Sequence, residues 1–306
     1  MTAGIRSVED NKEISVASCP VCRLAAGVSY QFCRNDDYRI HRCRDCDVEF
    51  VFPQPSDEVL SSIYTESYFI GSEDEKTAQM VADIKRATAN LYLDVVTRVM
   101  NGQTSRLLEI GCGSGDFLIE ASRRGFTVEG IEYSEHAAAV ANSRLGEKPV
   151  VVGTPDTVEI SPATYDIVAA FDVIEHLRDP KTSIEKFRLV LKPGGLIAIV
   201  TPSLDSWSRQ LLGRHWMEYK REHITYFSER SLRRLLESAG FSSIEFVPNY
   251  KVLTYDYIAR HFDHFPVPVL STITHAVRRA IPEALANRKW ELVASGMMAI
   301  ARKAPK

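Results

Sequence analysis

Residues 107–115 read Leu107-Leu108-Glu109-Ile110-Gly111-Cys112-Gly113-Ser114-Gly115, and this stretch decides the fold. An apolar strand pattern ends in three glycines at alternate positions, and a helical pattern begins directly afterwards at Asp116. Glycine lets a backbone turn sharply and approach a ligand closely. The N-terminus of the following helix favours carboxylate or phosphate groups. The stretch therefore predicts a strand, a ligand-binding loop and a helix in an α/β fold.

The next strand pattern, residues 127–131, ends at Glu132, whose carboxylate could hold two ribose hydroxyls. A dinucleotide fingerprint would place its third glycine at position 116, where this chain has Asp116. An acidic side chain so close to the loop would repel a pyrophosphate. S-adenosylmethionine carries an ammonium and a sulfonium and no phosphate, so the spacing favours this ligand.

Three more motifs follow in order: a strand pattern at 165–171, the segment Asp172–Leu177, and the turn Leu191–Gly195 before apolar residues 196–200. Together with the glycine loop they resemble the class I S-adenosylmethionine-dependent methyltransferases, from about residue 106 to residue 303. The resemblance implies an α/β, Rossmann-like, doubly wound sheet that is mostly parallel with an antiparallel last strand. It also implies an enzyme that transfers a methyl group from S-adenosylmethionine. A Rossmann domain with a purely structural role is the alternative.

The resemblance also implies which residues contact the cofactor. The loop glycines are expected along its methionine and ribose portion, Glu132 at the ribose diol and Asp156 at the adenine edge. Cys112 is interpreted as a small residue of the loop and not as a nucleophile. The full set of expected cofactor-binding residues is Glu109, Gly111, Cys112, Gly113, Gly115, Glu132, Tyr133, Asp156, Phe171 and Asp172.

Four of the six cysteines form a second strong pattern. Two C-x2-C pairs, separated by 20 residues, are Cys19 with Cys22 and Cys43 with Cys46. Two such pairs supply the four thiolates of a closed, tetrahedral zinc site, which is structural because it leaves no position for water. A redox role for one pair is the alternative, but that role does not need two matched pairs.

This N-terminal part resembles the zinc-binding module of many bacterial small-molecule and sugar methyltransferases. Zinc ribbons often bind nucleic acid, but acidic residues outnumber basic ones in residues 1–60. A module that neutralises phosphates should be basic, so the charge disfavours a nucleic-acid partner. The ribbon is therefore interpreted as a scaffold or as a contact to substrate or to a second subunit, and the oligomeric state is left open.

The chain is expected to have four parts: a flexible N-terminus at 1–17, a zinc ribbon at 18–55, a helical lead-in at 56–105 and the methyltransferase domain at 106–306. A helical cap is expected as an insertion at about 251–296, broken at Pro266 and Pro268. Basic residues outnumber acidic ones from residue 251 onwards. The segment could cover the substrate, make peripheral contact with an anionic membrane, or simply be solvated.

Transfer to a hydroxyl needs a positioned base, and His223 and His176 are the candidates for catalysis. His176 follows the fourth core strand, close to the expected methyl group, and His223 follows the fifth. Aromatic neighbours of His223, including Trp216 and Tyr219, could enclose the acceptor. The alternative for both histidines is a purely structural role in orienting loops.

The motif Asp172-x-x-Glu175-His176 resembles the Glu-x-x-Glu-His element of ubiquinone-biosynthesis O-methyltransferases, which is associated with a divalent cation. Magnesium at these residues is thus an alternative, although Asp in place of the first Glu shortens the reach. Without a cation, Glu175 would fix the loop.

The expected function is methyl transfer to a small-molecule acceptor, a sugar, a lipid-linked compound or a secondary metabolite, with O-methylation favoured. C- or N-methylation, RNA methylation through the ribbon, and a catalytically silent interaction module are the alternatives. No apolar run approaches the roughly 18 residues of a membrane helix, and no apolar signal region is found near the start. The cysteine pattern is not that of a secreted disulfide framework. The cytoplasm is therefore the expected compartment.

Overall fold

The computed structural model describes residues 17–34, 38–63, 75–146, 148–264, 267 and 269–304. The expected flexible segment at 1–17 lies almost wholly outside these residues, as do Pro266 and Pro268. The strands are β1 (Val28–Arg34), β2 (Tyr38–Cys43), β3 (Val48–Val51), β4 (Arg106–Ile110), β5 (Thr127–Glu132), β6 (Val150–Val152), β7 (Tyr165–Phe171), β8 (Leu191–Pro202), β9 (Thr225–Tyr226), β10 (Phe241–Leu253) and β11 (Trp290–Lys303). The helices are α1 (Asp57–Ile63), α2 (Glu75–Val99), α3 (Asp116–Arg123), α4 (Glu135–Leu145), α5 (Pro180–Val190), α6 (Trp207–Leu212), α7 (Glu229–Ser238), α8 (Tyr255–His264), α9 (Leu270–Ala280) and α10 (Glu283–Ala286).

The large sheet has the strand order β10-β11-β8-β7-β4-β5-β6. Pairing is parallel from β8 through β7, β4 and β5 to β6, whereas β11 runs antiparallel between β8 and β10. This confirms a mostly parallel, Rossmann-like sheet with an antiparallel last strand. The carboxyl ends of β4, β5 and β7 meet at one edge, where doubly wound folds bind ligands.

The central strands are buried on both faces, which is why they read as continuous apolar runs. In β8, residues 196–202 are all buried, and β7 is buried from Ile167 to Ala170. The expected turn at Leu191–Gly195 lies within the bounds of β8, and the pairing of this part with β7 is irregular between Tyr165 and Ile167. Because the central strands are packed on both faces, the loops that follow their carboxyl ends start from fixed positions.

Three helices of the large domain begin at a side-chain cap. The side chains of Ser134, Asp179 and Ser228 accept hydrogen bonds from backbone N–H groups in the first turns of α4, α5 and α7. Among the described residues, no helix is both long and apolar enough to cross a membrane.

The last two strands extend into the segment that was expected to form the helical cap. β10 continues to Leu253 and β11 starts at Trp290, so both ends of the expected cap segment at 251–296 are strand. The short helices α8, α9 and α10 occupy the part between them. Exposed residues near the hairpin end, such as Tyr250 and Leu292, hide the strand pattern because neither face there is fully buried.

The small sheet has the order β1-β2-β3-β9. Its first three strands lie in the expected ribbon at 18–55, which we call the cysteine module, but β9 comes from the chain after β8. The expected boundary at residue 55 therefore divides strands that share one sheet. This pairing fixes the cysteine module against the segment that contains His223.

Candidate functional site

The glycine loop leaves β4 in a left-handed conformation that favours glycine. Gly111, Gly113 and Gly115 have φ angles of 68°, 52° and 78°. A Cβ at Gly111 would lie 2.6 Å from Val173, whereas the space around Gly113 is open. The loop thus combines a tightly packed start with an open centre at the carboxyl edge of the sheet.

Glu132 at the end of β5 is bound to this loop. One of its carboxylate oxygens accepts a hydrogen bond from the Gly113 N–H at 2.8 Å, and the other accepts from the Ser134 N–H at 2.8 Å. Each oxygen retains a second lone pair for a ligand hydroxyl. The expected ribose-binding carboxylate is therefore held in place beside the loop.

Glu109 is buried directly below the loop, and its Oε2 has no hydrogen-bond partner among the described residues. Burial, with smaller contributions from Asp116 and Glu132, raises the pKa of Glu109 well above its ordinary value. A ligand ammonium would supply the missing partner. The orphaned carboxyl therefore fits the cationic amino-acid end of S-adenosylmethionine.

Two loop residues have structural contacts. The Cys112 sulfur packs closely against Gly130, since a Cβ added at Gly130 would lie 2.7 Å from it. Burial also raises the pKa of the Cys112 thiol, which agrees with a packing role and not with that of a nucleophile. Asp116 is paired with Arg144 at 2.8 Å. Its charge is thus partly neutralised, so repulsion of a pyrophosphate by Asp116 is a weaker argument than the sequence indicates.

Four further residues expected to bind the cofactor differ in their exposure and in their contacts. The Phe171 ring packs against Phe117, with centroids 4.8 Å apart, and Tyr133 is exposed. Asp156 is also exposed and pairs with Lys186 on α5. Asp172 has a φ angle of 53° and accepts a hydrogen bond from the Lys251 ammonium at 2.7 Å. Their contacts to the cofactor stay predictions.

His176 and His223 meet at this edge with their rings edge to face and centroids 4.7 Å apart. The Nδ1 of His176 lies 3.0 Å from the Glu222 carbonyl, and the Nδ1 of His223 lies 2.8 Å from the Glu218 carbonyl. Because a carbonyl only accepts, each Nδ1 carries the proton, and Nε2 is the basic nitrogen of the neutral ring. Burial, with His176 and Lys220, lowers the pKa of His223 well below its ordinary value.

Glu175 lies under the two histidines and is almost fully buried. Thr201 donates a hydrogen bond to its Oε2 at 3.0 Å, while its Oε1 has no partner among the described residues. Burial and the nearby Asp172 raise the pKa of Glu175 to about 8. One donor atom from each of Glu175, His176 and His223 lies within 4.8 Å of the others.

Two charged residues outside the sequence motifs, Lys251 and Glu218, complete the site. Burial disfavours the charged form of Lys251, but Asp172, together with Tyr92 and Glu218, outweighs burial and raises the pKa of Lys251 well above its ordinary value. Burial likewise opposes ionisation of Glu218, yet Lys220 and His223 lower its pKa to about 2. No local signal identifies Lys251, since it reaches the site only through the extension of β10.

The four cysteine sulfurs of the two C-x2-C pairs come together as expected, all within 4.8 Å of one another. Two backbone N–H groups, of Val21 and Cys22, point at the Cys19 sulfur at 3.4 Å. The four thiols are free, and Cys19, Cys43 and Cys46 are buried. Four convergent thiols with backbone donors are a donor set that suits zinc.

Comparison with known proteins gives matches to methyltransferases. A family profile described as a methyltransferase domain matches residues 83–245, which is more than half of the chain. The chain is 32% identical over 138 residues to a probable S-adenosylmethionine-dependent methyltransferase of Mycolicibacterium smegmatis, covering 44% of this chain and 51% of that protein. It is 32% identical over 109 residues to a ubiquinone biosynthesis O-methyltransferase of Paracidovorax citrulli, covering 32% and 44%.

Among solved structures, the chain is similar to a methyltransferase of Thermotoga maritima described as a possible histamine N-methyltransferase. The match has a TM-score of 0.49 and 19% identity and covers 73% of this chain and 91% of that one. The chain spans about half the length of the first two curated relatives.

Proposed function

The chain belongs to the methyltransferase-domain family, and we propose that it transfers the methyl group of S-adenosylmethionine to a hydroxyl of a small molecule. The single observation that carries the choice of a hydroxyl is the position of His223. Its neutral imidazole, with Nδ1–H fixed on the Glu218 carbonyl, contacts the ring of His176 in the segment that follows β7. A hydroxyl acceptor needs such a base, whereas an unprotonated amine does not.

The cofactor would be held by groups that are already oriented. Glu132 offers two carboxylate oxygens to the ribose diol, the open backbone at Gly113 allows close approach, and Glu109 offers its orphaned oxygen to the ammonium. The sulfonium supplies the methyl group, and the protein aligns donor and acceptor and excludes water. This fit to a cationic ligand supports S-adenosylmethionine over a dinucleotide.

In the proposed reaction His223 Nε2 accepts the acceptor proton as the oxygen attacks the methyl group. The fixed Nδ1 donor keeps the ring in the tautomer with a basic Nε2. The lowered pKa of His223 keeps the ring neutral at physiological pH. His176, in ring contact with His223, is the second candidate for the base.

A divalent cation at Glu175, His176 and His223 is a second candidate for activating the hydroxyl. Two observations favour it: one carboxylate oxygen of Glu175 and one ring nitrogen of each histidine lie within 4.8 Å of one another, and Glu175 Oε1 has no hydrogen-bond partner among the described residues. This donor set suits a transition metal better than magnesium, which prefers oxygen ligands. Asp172, in the expected magnesium motif, is instead paired with Lys251.

The acceptor is proposed to be a sugar, a lipid-linked compound or a secondary metabolite, with C- or N-methylation as the close variants. Zinc at Cys19, Cys22, Cys43 and Cys46 would be structural, because four sulfurs close the site. Free thiols at these positions fit the reducing cytoplasm.

Two measurements test the function. Calorimetry should show binding of S-adenosylhomocysteine to the purified full chain, and mass spectrometry should show methylated hydroxyls after incubation with S-adenosylmethionine and an acceptor panel. Methylation confined to amines would contradict the role of a base, and absence of cofactor binding would contradict the function altogether. Activity that a chelator abolishes, with zinc at the cysteines retained, would favour the cation over the free histidine base.

A further inference from the structure

We propose that Glu49, in the cysteine module, is a positioning residue for His223. The inference rests on the proposed function in that it gives His223 the role of base. Among the described residues, the side chain of Glu49 makes its polar contacts with Tyr219, Arg209 and Arg42, and it acts through the segment 216–224, which we call the histidine loop.

Backbone hydrogen bonds connect the histidine loop to the segment after β7 on one side and to β3 on the other. The Ile224 N–H donates to the Glu175 carbonyl at 2.9 Å, and the Ile224 carbonyl accepts from the Val51 N–H of β3 at 2.9 Å. Directly afterwards, β9 pairs with β3, with Glu49 opposite Tyr226. His223 therefore precedes a residue fixed between the methyltransferase core and the cysteine module.

Glu49 is a buried carboxylate inside this contact, with 2% of its surface exposed. The Tyr219 hydroxyl donates to Glu49 Oε2 at 2.5 Å, and Arg209 donates to Oε1 at 3.2 Å. Arg209 also donates to the Tyr219 hydroxyl at 2.7 Å. A buried carboxylate with these donors fixes the Tyr219 ring far more firmly than apolar packing alone.

Tyr219 transmits this constraint to the imidazole. Its neighbour Glu218 supplies the carbonyl that accepts from His223 Nδ1 at 2.8 Å. The Tyr226 hydroxyl donates to the His223 carbonyl at 2.6 Å, and the rings of Tyr219 and Tyr226 are in contact, with centroids 4.8 Å apart. Loss of the Glu49 contact would therefore release the carbonyl that sets both the tautomer and the direction of His223.

The chain offers a matched control. Glu129 forms the same combination of contacts, with the Tyr165 hydroxyl at 2.6 Å and Arg106 at 2.8 Å, but Tyr165 stands at the start of β7, opposite the ligand edge. If removing a carboxylate from such a group merely destabilised the protein, Glu49→Ala and Glu129→Ala should have similar effects on His223. If Glu49 positions His223, loss of the Glu49 carboxylate should change the tautomer of His223, whereas loss of the Glu129 carboxylate should not.

The first experiment needs no acceptor. Nitrogen-15 NMR of the imidazoles, with His223 assigned through His223→Gln, should show a single Nδ1–H tautomer in the wild type. Glu49→Ala and Tyr219→Phe should produce a mixture of tautomers at His223, and Glu49→Gln, which keeps an acceptor for Tyr219, should restore most of the wild-type signal. Glu129→Ala should leave the His223 signal unchanged. This result does not depend on methyl transfer, so it separates failure of the inference from failure of the proposed function.

The second experiment measures turnover. Displacing a catalytic group by about 1 Å can cost about a hundredfold in rate, so Glu49→Ala and Tyr219→Phe should lower kcat by about tenfold to a hundredfold. The dissociation constant of S-adenosylmethionine and the metal content should stay as in the wild type. Tyr219→Phe keeps the ring volume and so answers the question even where Glu49→Ala does not fold.

Wild-type His223 signals in both Glu49→Ala and Tyr219→Phe would overturn the inference. A parallel loss of cofactor affinity in the folded variants would also overturn it, because it would indicate a general structural role. An effect of Glu129→Ala on kcat equal to that of Glu49→Ala would do the same.

Discussion

The imidazole of His223 lies edge to face on that of His176 at a centroid distance of 4.7 Å, although the two residues come from chain segments on either side of β8. Each ring is oriented by a backbone carbonyl of the histidine loop. The pair therefore depends on that loop for its geometry, and the catalytic prediction can be tested on either member.

His223→Ala should lower kcat by about 10²- to 10⁴-fold and leave cofactor affinity unchanged, because a general base acts only in the transition state. The loss should shrink at high pH, where the acceptor ionises unaided. His176→Ala is the companion variant. Full turnover of His223→Ala in steady-state assays would assign the role to His176, and full turnover of both would exclude a histidine base.

The pH–rate profile of the wild type should follow the pKa of His223. Burial lowers this pKa, so the neutral, basic ring persists below the ordinary histidine pKa of about 6.5. Turnover should therefore stay level from neutral pH into mild acid and fall only as the pH drops through the lowered pKa. An acid limb centred at or above the ordinary value would contradict the assignment.

Glu132→Ala should weaken binding of S-adenosylmethionine by roughly tenfold to a hundredfold, since charge-assisted hydrogen bonds contribute about 1.5–3 kcal/mol. Calorimetry measures the change. Glu129→Ala is the control, because Glu129 lies on the same strand but binds Arg106 and Tyr165. Equal affinities in the two variants would show that Glu132 does not hold the ribose.

Glu109 should make the stability of the ligand-free protein depend on pH. Burial raises its pKa in the folded state, so the folded protein keeps a proton that the unfolded chain releases. Stability from this group therefore falls as pH rises above the ordinary value of about 4.3 towards the raised pKa. Glu109→Gln should unfold at a higher temperature than wild type at pH 8 and at a similar temperature at pH 4.

The same carboxyl should release a proton when S-adenosylmethionine binds, because the ligand ammonium favours the carboxylate form. Calorimetry in two buffers of different ionisation enthalpy measures this release at neutral pH. Glu109→Gln should abolish the release. An unchanged release in that variant would place the titrating group elsewhere.

Elemental analysis of protein purified without chelator should find zinc at one equivalent per chain for the four-cysteine site. Cys43→Ser should lose that zinc and lower the midpoint of thermal unfolding, because a closed zinc site contributes directly to the stability of the folded chain. Cys112→Ser is the control, because Cys112 packs in the glycine loop. Zinc-free wild-type protein would refute the site.

Local patterns in the sequence were sufficient for much of the molecule. The strand–glycine loop–helix unit around Gly113 and the spacing within each C-x2-C pair depend on residues close in sequence. Backbone conformation at glycines and the spacing of two thiols in one turn are short-range properties, so the sequence alone predicts them.

The sequence by itself thus determined the fold class and the position of the ligand loop directly after β4, whereas the order of the strands came from the structure. Only the tertiary structure decided that His176 meets His223, that Lys251 pairs with Asp172, and that β9 joins the sheet of the cysteine module. These contacts depend on the length of β10 and on where the chain returns after β8. The physical reason is that local propensity specifies each element, whereas burial and register over the whole chain specify which side chains share a site.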